Sequence, residues 1–184
     1  MIHLVAWAEL SEQAKAEVRS LRVSERQVEY AGSIESSLAQ CEGSTNELVG
    51  LAIVYGQAVV GFLLLKCGSK APQWSSPHSV VISALRIGEQ YQGRGYGRQA
   101  LLALPRWVEQ YWPAMRTVSL SVDEENEAAI RSYLRAGWKD QGVRVQGRIG
   151  WVRYMSLHLA ATGPNPSIER TAVGKPPAAA HVER

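Results

Sequence analysis

A glycine-rich turn is the segment whose residue types most clearly indicate chemistry. It reads Gln92-Gly93-Arg94-Gly95-Tyr96-Gly97, follows the apolar run 80–87 and opens an amphipathic helix. Glycine lets the backbone come close to a ligand, and a helix N-terminus presents free N–H groups with a partial positive charge. Arg94 and Arg98 add positive charge beside the turn. The pattern predicts a cradle for phosphate groups.

Several known glycine-loop patterns compete for this turn. The dinucleotide fingerprint G-x-G-x-x-G fails, because Arg98 stands where the third glycine belongs, and the Walker A pattern is absent. Residues 94–97 match the start of an RNA-binding RNP1 segment, but Arg98 and Gln99 replace the aromatic residue and the valine that should follow. On the loop alone, a glycine turn that merely begins a helix remains an alternative.

A second segment, residues 126–138, changes the balance. It carries Asn126, Ala129, Tyr133 and Gly137 in the order N-x-x-A-x-x-x-Y-x-x-x-G, with Trp138 next. This segment resembles one signature of the GNAT superfamily of N-acetyltransferases, in which Phe is usual at the last position. The glycine turn resembles the other signature, Q/R-x-x-G-x-G/A. The resemblance covers roughly residues 1–159. In its first half, residues 24–38 followed by Gly61-Phe62 are similar to the subset that acetylates polyamines and small amines.

The resemblance implies a single α/β domain with a mixed, strongly twisted sheet of about seven strands and helices on both faces. The residue pattern predicts strands over 2–8, 48–55, 58–65, 80–87, 117–122, 138–145 and 150–159. It predicts helices over 10–21, 24–38, after the glycine turn and from Asn126, with a two-residue hairpin turn at Gly56-Gln57. We expect the sheet to open between the strand ending at Ile87 and the strand ending near Val122.

The domain is expected to span residues 1–159, and residues 160–184 to form a disordered tail without a catalytic role. This tail contains four of the eight prolines and no aromatic residue, so it cannot bury enough apolar surface to fold alone.

The resemblance also implies acetyl-CoA as co-substrate and assigns residues to it. The strand backbone at Leu85, Arg86 and Ile87 would pair with the pantetheine arm, and the N–H groups from Gly93 to Arg98 would hold the pyrophosphate. Asn126 would hold the cofactor arm, cap its helix, or do both. The expected cofactor site comprises Leu85, Arg86, Ile87, Gln92, Gly93, Arg94, Gly95, Tyr96, Gly97, Arg98 and Asn126.

Acetylation of an amine requires a base and an acid. An alkylammonium has a pKa near 10.4, so removing its proton near pH 7 costs about 4 kcal/mol. A carboxylate commonly serves, directly or through water. Glu89 and Glu35 are candidates, between which the sequence does not choose. Tyr133 lies where the family has its tyrosine general acid for the leaving thiolate, although its helical stripe also fits a core role.

The leading hypothesis is acetyl-CoA-dependent N-acetylation of a small primary amine, with a polyamine among the candidates, by direct attack on the thioester. Acetylation of a protein N-terminus or lysine, and a catalytically idle acyl-CoA-binding module, are the alternatives. A net charge of +3 is too small to indicate nucleic acid, and no apolar run approaches the ~20 residues of a membrane span. Cys41, Cys67 and the histidines show no metal-like spacing, so we expect no metal and a cytoplasmic protein. The sequence leaves a homodimer open.

Overall fold

A mixed seven-stranded sheet organises the chain, with strand order β1-β2-β3-β4-β5-β7-β6. The computed structural model describes residues 1–42 and 46–160, so the predicted tail beyond residue 160 lies outside the described residues. The strands are β1 (Ile2–Ala6), β2 (Leu48–Tyr55), β3 (Ala58–Lys66), β4 (Ser79–Ile87), β5 (Thr117–Asp123), β6 (Lys139–Gln146) and β7 (Trp151–His158). The helices are α1 (Glu12–Arg19), α2 (Glu25–Ala31), α3 (Ile34–Glu42), α4 (Tyr96–Tyr111) and α5 (Glu127–Arg135).

Helices cover both faces of the sheet because the central strands are apolar on both sides. On β3, Leu63 and Leu65 pack in one core cluster with residues of α4 and α5. Phe62 and Leu64, which alternate with them, pack in a second cluster with residues of α1 and α3. The predicted fold class is therefore confirmed, and so is the two-residue turn at Gly56, whose φ is 62°.

The central strands β4 and β5 separate halfway along their length. They pair in parallel from Ser79–Thr117 to Ile82–Leu120, and both then continue without further pairing to each other. On the other side of β4, the register with β3 slips between Leu64 and Leu65, which leaves Ser83 as an extra residue. Such a bulge bends a strand and increases its twist. The sheet therefore opens between these strands, as the sequence predicted.

The helix predicted over 24–38 is interrupted. Its capping box at Ser24 and Gln27 is present, but α2 ends at Ala31 and α3 begins at Ile34. Gly32 between them has a φ of 75°, in the left-handed region that ends helices. Val28, whose position fits the apolar period of the predicted helix, is 38% exposed. The single-helix prediction was wrong because periodicity continues across the break while the backbone does not.

A buried arginine holds this break against the sheet. The side chain of Arg86 on β4 is fully enclosed, and its Nε donates to the Gly32 carbonyl at 3.0 Å. Its Nη2 donates to the carbonyls of Gly32 at 2.8 Å and Ser33 at 3.1 Å, and also to that of Ala31. Burial lowers the pKa of Arg86 to about 10, and the negative charge of Glu35 opposes this shift. The contacts satisfy carbonyls that the end of α2 leaves without helical partners.

No helix in the described part of the chain is long and apolar enough to cross a membrane.

Arg86→Met is expected to lower the free energy of unfolding by about 2 to 3 kcal/mol, because the carbonyls at the helix break lose their charged donor. Urea unfolding measures the change, and Arg106→Met, at an exposed position of α4, is the control. Equal stability of the two variants would show that Arg86 does not hold the break.

Candidate active site

The divergence of β4 and β5 opens a cleft of about 950 Å³. Its walls come from the separated ends of the two strands, from α2, from the beginning of α4 and from α5. Since the two strand edges face the cleft instead of each other, their backbone polar groups are available to a ligand.

The glycine turn forms one end of the cleft. Gly93 and Gly95 have φ values of 73° and 77°, and an ideal Cβ at either position meets nothing within 4 Å. Gly95 is the N-cap of α4 and supplies no side-chain cap, so the first N–H groups of the helix lack intrahelical partners. Open space, free donors and the positive end of a helix together fit an anionic group such as a pyrophosphate.

Gln92 positions the turn. Its Nε2 donates to the carbonyl of Ile87 at 3.1 Å and to Oε1 of Gln27 at 2.7 Å. These bonds join the turn to the end of β4 and to α2. Tyr96, the first residue of α4, packs against Tyr55 of the β2–β3 hairpin, with ring centroids 4.8 Å apart. The turn is therefore fixed from both sides before any ligand binds.

The free edge of β4 presents the backbone polar groups of alternate residues to the cleft. The Arg86 carbonyl lies against Gly61 of β3, since a Cβ added at Gly61 would contact it. Strand alternation then directs the polar backbone groups of Leu85 and Ile87 away from β3, and both residues line the cleft. The Ile87 carbonyl already accepts bonds from Gln92 and Gln27. Of the three predicted strand residues, Arg86 alone is absent from the lining.

Helix α5 brings Asn126 and Tyr133 to the same cleft. The Asn126 side chain accepts a bond from the Ala129 N–H at 3.3 Å, so it caps the helix. Tyr133 is 9% exposed, and burial raises its pKa to about 12. Its hydroxyl makes no hydrogen bond to another described residue. This hydroxyl keeps some contact with solvent, whereas Nε1 of the neighbouring Trp138 is buried.

The structure does not bring every predicted residue together. Glu35 and Glu89 are exposed and do not line the cleft, and neither does Arg94. Glu35 lies in the first turn of α3, where its own backbone N–H and the Ser33 hydroxyl lower the pKa of its carboxyl. The remaining predicted cofactor residues in the turn, including Arg98, do line the cleft.

Asp123, at the end of β5, is a site carboxylate that the sequence analysis did not name; Glu125 and Glu127 also line the cleft. Asp123 is half-buried and lines both the cleft and an adjoining cavity of about 290 Å³. Burial raises the pKa of Asp123; the positive charge of Arg148 opposes this, whereas the charges of Glu29 and Glu125 add to it. The available sequence signal was its place directly after the predicted strand 117–122 and three residues before Asn126.

Comparison with known proteins identifies the architecture. The sequence profile of the acetyltransferase (GNAT) family matches residues 4–138. The chain belongs to this family. The resemblance stated from the two motifs is thereby confirmed, as are the enzyme class, N-acetyltransferase, and acetyl-CoA as the acetyl donor of the family's enzymes.

Individual relatives of this GNAT protein are distant. An uncharacterized N-acetyltransferase of Bacillus subtilis, YbbJ, is 31% identical over 93 residues, which span 50% of this chain and 58% of that protein. The spermine/spermidine N(1)-acetyltransferase of the same organism is 26% identical over 133 residues, 72% of this chain and 86% of that protein. The crystal structure of the aminoglycoside acetyltransferase AAC(6')-Ib with coenzyme A superposes with a TM-score of 0.67 at 18% identity, covering 88% of this chain and 96% of that one.

Within the described residues, no group of three His, Cys, Asp or Glu side chains is arranged to hold a metal ion.

Gly95→Asp is expected to weaken CoA binding at least tenfold relative to Gly95→Asn. Both side chains tolerate a positive φ better than most and are nearly the same size, so the comparison isolates a negative charge beside the phosphates. Isothermal titration calorimetry with CoA measures both affinities, and circular dichroism checks that both variants fold. Equal affinities would place the phosphates elsewhere.

Proposed function

We propose that this GNAT enzyme transfers the acetyl group of acetyl-CoA to a small primary amine by direct attack of the amine on the thioester. The observation that carries the proposal is the continuity of the cleft. One cavity joins an anion cradle at the glycine turn, a phenol on α5 and a half-buried carboxylate at the end of β5. Holding both reactants in one cavity removes much of the entropic cost of their encounter.

Acetyl-CoA supplies an activated thioester carbonyl when it is bound. The N–H groups at the beginning of α4 would hold its pyrophosphate, and the free edge of β4 at Leu85 and Ile87 would orient its arm. Asn126 would contribute its amide N–H₂, which remains free because the cap uses only the side-chain oxygen.

Asp123 is the carboxylate best placed to accept the ammonium proton. It lies where the cleft meets the adjoining cavity, so an amine entering from that side reaches it before the thioester position. A carboxylate whose pKa is raised above that of an ordinary aspartate accepts a proton more readily near neutral pH. The transfer leaves a neutral amine with a free electron pair, and the proton ends on the Asp123 carboxylate, either directly or relayed through a bridging water.

Tyr133 is the proposed proton donor. With its pKa raised to about 12, the phenol keeps its proton throughout the working pH range. The same enclosed surroundings raise the basicity of a thiolate released beside it, because burial disfavours the charged form. The Tyr133 hydroxyl has no hydrogen-bond partner among the described residues, so it is free to donate to the thiolate.

Tyr133→Phe is expected to reduce kcat by 10²- to 10⁴-fold while CoA affinity stays near wild type. Phe keeps the ring and its packing against Trp138, so stability should change little. Stopped-flow measurement of CoA release, with calorimetry for CoA affinity, separates the two effects. Wild-type turnover across pH 6 to 9, with chemistry rate-limiting, would leave Tyr133 with a packing role alone.

Asp123→Asn is expected to lower kcat by about 10²-fold and to abolish the acid limb of its pH profile. The base works only when deprotonated, so wild-type activity should fall as the pH drops through a value above the ordinary aspartate pKa. Glu125→Gln removes a charge that raises the pKa of Asp123, so the same limb should move to lower pH. Glu35→Gln and Glu89→Gln, outside the cleft lining, should keep wild-type profiles; loss of activity in either would contradict the assignment to Asp123.

The proposed function itself is tested by free CoA release from acetyl-CoA with a panel of primary amines. Turnover with a small amine supports it. Tight CoA binding without turnover on any amine or on a peptide N-terminus would indicate an idle acyl-CoA-binding module.

The spermine/spermidine N(1)-acetyltransferase relative supports a small amine as the acceptor, with a polyamine among the candidates. A protein acceptor is less well accommodated. A protein substrate needs an open groove, but Arg148 in the β6–β7 turn donates to the backbone carbonyl of Glu29 on α2. This bond links the β6–β7 turn to α2 beside the cavity at Asp123, which favours a small acceptor over a protein chain.

A further inference from the structure

The small cavity beside Asp123 has a wall of aromatic rings. Trp74, from the loop before β4, stacks on Tyr154 of β7 with ring centroids 4.5 Å apart and planes inclined by 15°. The two rings cover each other face to face, and both residues line the cavity, which gives it an apolar aromatic wall. Neither residue belongs to the two family motifs, and neither has a part in the donor site.

A third ring stands where the cavity opens into the cleft. Tyr30 of α2 lines both spaces. Nε of Arg26 donates to its hydroxyl at 3.0 Å, and the guanidinium lies 5.8 Å from its ring centroid. These contacts hold the ring in place between the cavity and the cleft.

The charges of the cavity are few. Among the described residues that line it, Asp123 is the one carboxylate and Arg148 the one cation. Glu29 and Glu125 act on Asp123 electrostatically, but neither lines this cavity. Inside this cavity one carboxylate matches one ammonium group, whereas a second ammonium there would meet the guanidinium of Arg148. The carboxylates of Glu125 and Glu127 line the larger cleft instead.

We infer that the acceptor is a primary amine with a single positive charge and a flat aromatic body, whose ring packs against the stacked Trp74–Tyr154 pair and whose ammonium faces Asp123. The inference rests on the proposed function and specifies its substrate class. At about 290 Å³ the cavity lies at the lower end of the size range of small-ligand sites, which suits an arylalkylamine. Contact of a third ring with the pair, offset-stacked or edge to face, adds to the stabilisation from burial of its apolar surface.

The test compares kcat/KM for 2-phenylethylamine, n-butylamine and spermine at saturating acetyl-CoA. Butylamine keeps the single charge without the ring, and spermine supplies several charges without a ring. We expect 2-phenylethylamine to exceed both by roughly tenfold or more. Preference for spermine, or equal values for the two monoamines, would overturn the inference.

Variants of Trp74 and Tyr154 give a second, independent test of the inference. Trp74→Ala should lower kcat/KM for 2-phenylethylamine about tenfold and leave that for butylamine nearly unchanged. Tyr154→Leu should act in the same direction. The matched control is Trp151→Ala, since Trp151 is 53% exposed on β7 and lies outside the cavity lining. Losses in Trp74→Ala no greater than in Trp151→Ala would contradict the assignment.

Binding measured without turnover separates failure of the inference from failure of the proposed function. Calorimetry with CoA-loaded protein should detect 2-phenylethylamine, and Trp74→Ala should weaken that binding. If no amine is acetylated but this binding and its loss are observed, the proposed function fails while the aromatic site stands. If 2-phenylethylamine does not bind, the aromatic site is wrong, whichever amines are acetylated.

Discussion

The separation of β4 from β5 is the constraint on which the rest of the site depends. Pairing ends at Ile82–Leu120, and the extra residue Ser83 bends β4 at that point. Beyond it, backbone groups that a continuous sheet would satisfy face a cavity. The glycine turn, α5 and the end of β5 are all attached to the separated strand ends, so the same opening brings donor cradle, phenol and carboxylate together.

Helix α2, which lines the cleft, is held by contacts from distant parts of the chain. Arg86 reaches from β4 to the carbonyls at the end of α2, and Gln27 of α2 bonds to Gln92 of the glycine turn. Helix α2 is therefore fixed to the donor site at both ends, although it is only seven residues long. Isolated helices of this length are not stable in water, so its place depends on these tertiary bonds. Donor and acceptor regions are thus structurally coupled.

Sequence reasoning succeeded where the signal is local. The glycine turn, the apolar strand before it and the α5 motif each combine residue type with spacing, and together they indicated the fold and the cofactor. It failed where distant residues meet. The apolar period of residues 24–38 continues across Gly32, but the break there is stabilised by Arg86, more than fifty positions away. Asp123, Trp74 and Tyr154 come from three segments with no shared pattern, so their cavity emerges only from the folded sheet.

Amide hydrogen exchange upon addition of CoA tests the central claim most directly. If the separated edge of β4 and the beginning of α4 hold the donor, bound CoA should slow exchange in peptides that cover residues 83–87 and 94–98, because their free N–H groups acquire partners or become enclosed. Exchange in β1 and β2, at the far side of the sheet, should not change. Unchanged exchange at both donor segments, with CoA binding established by calorimetry, would contradict the account.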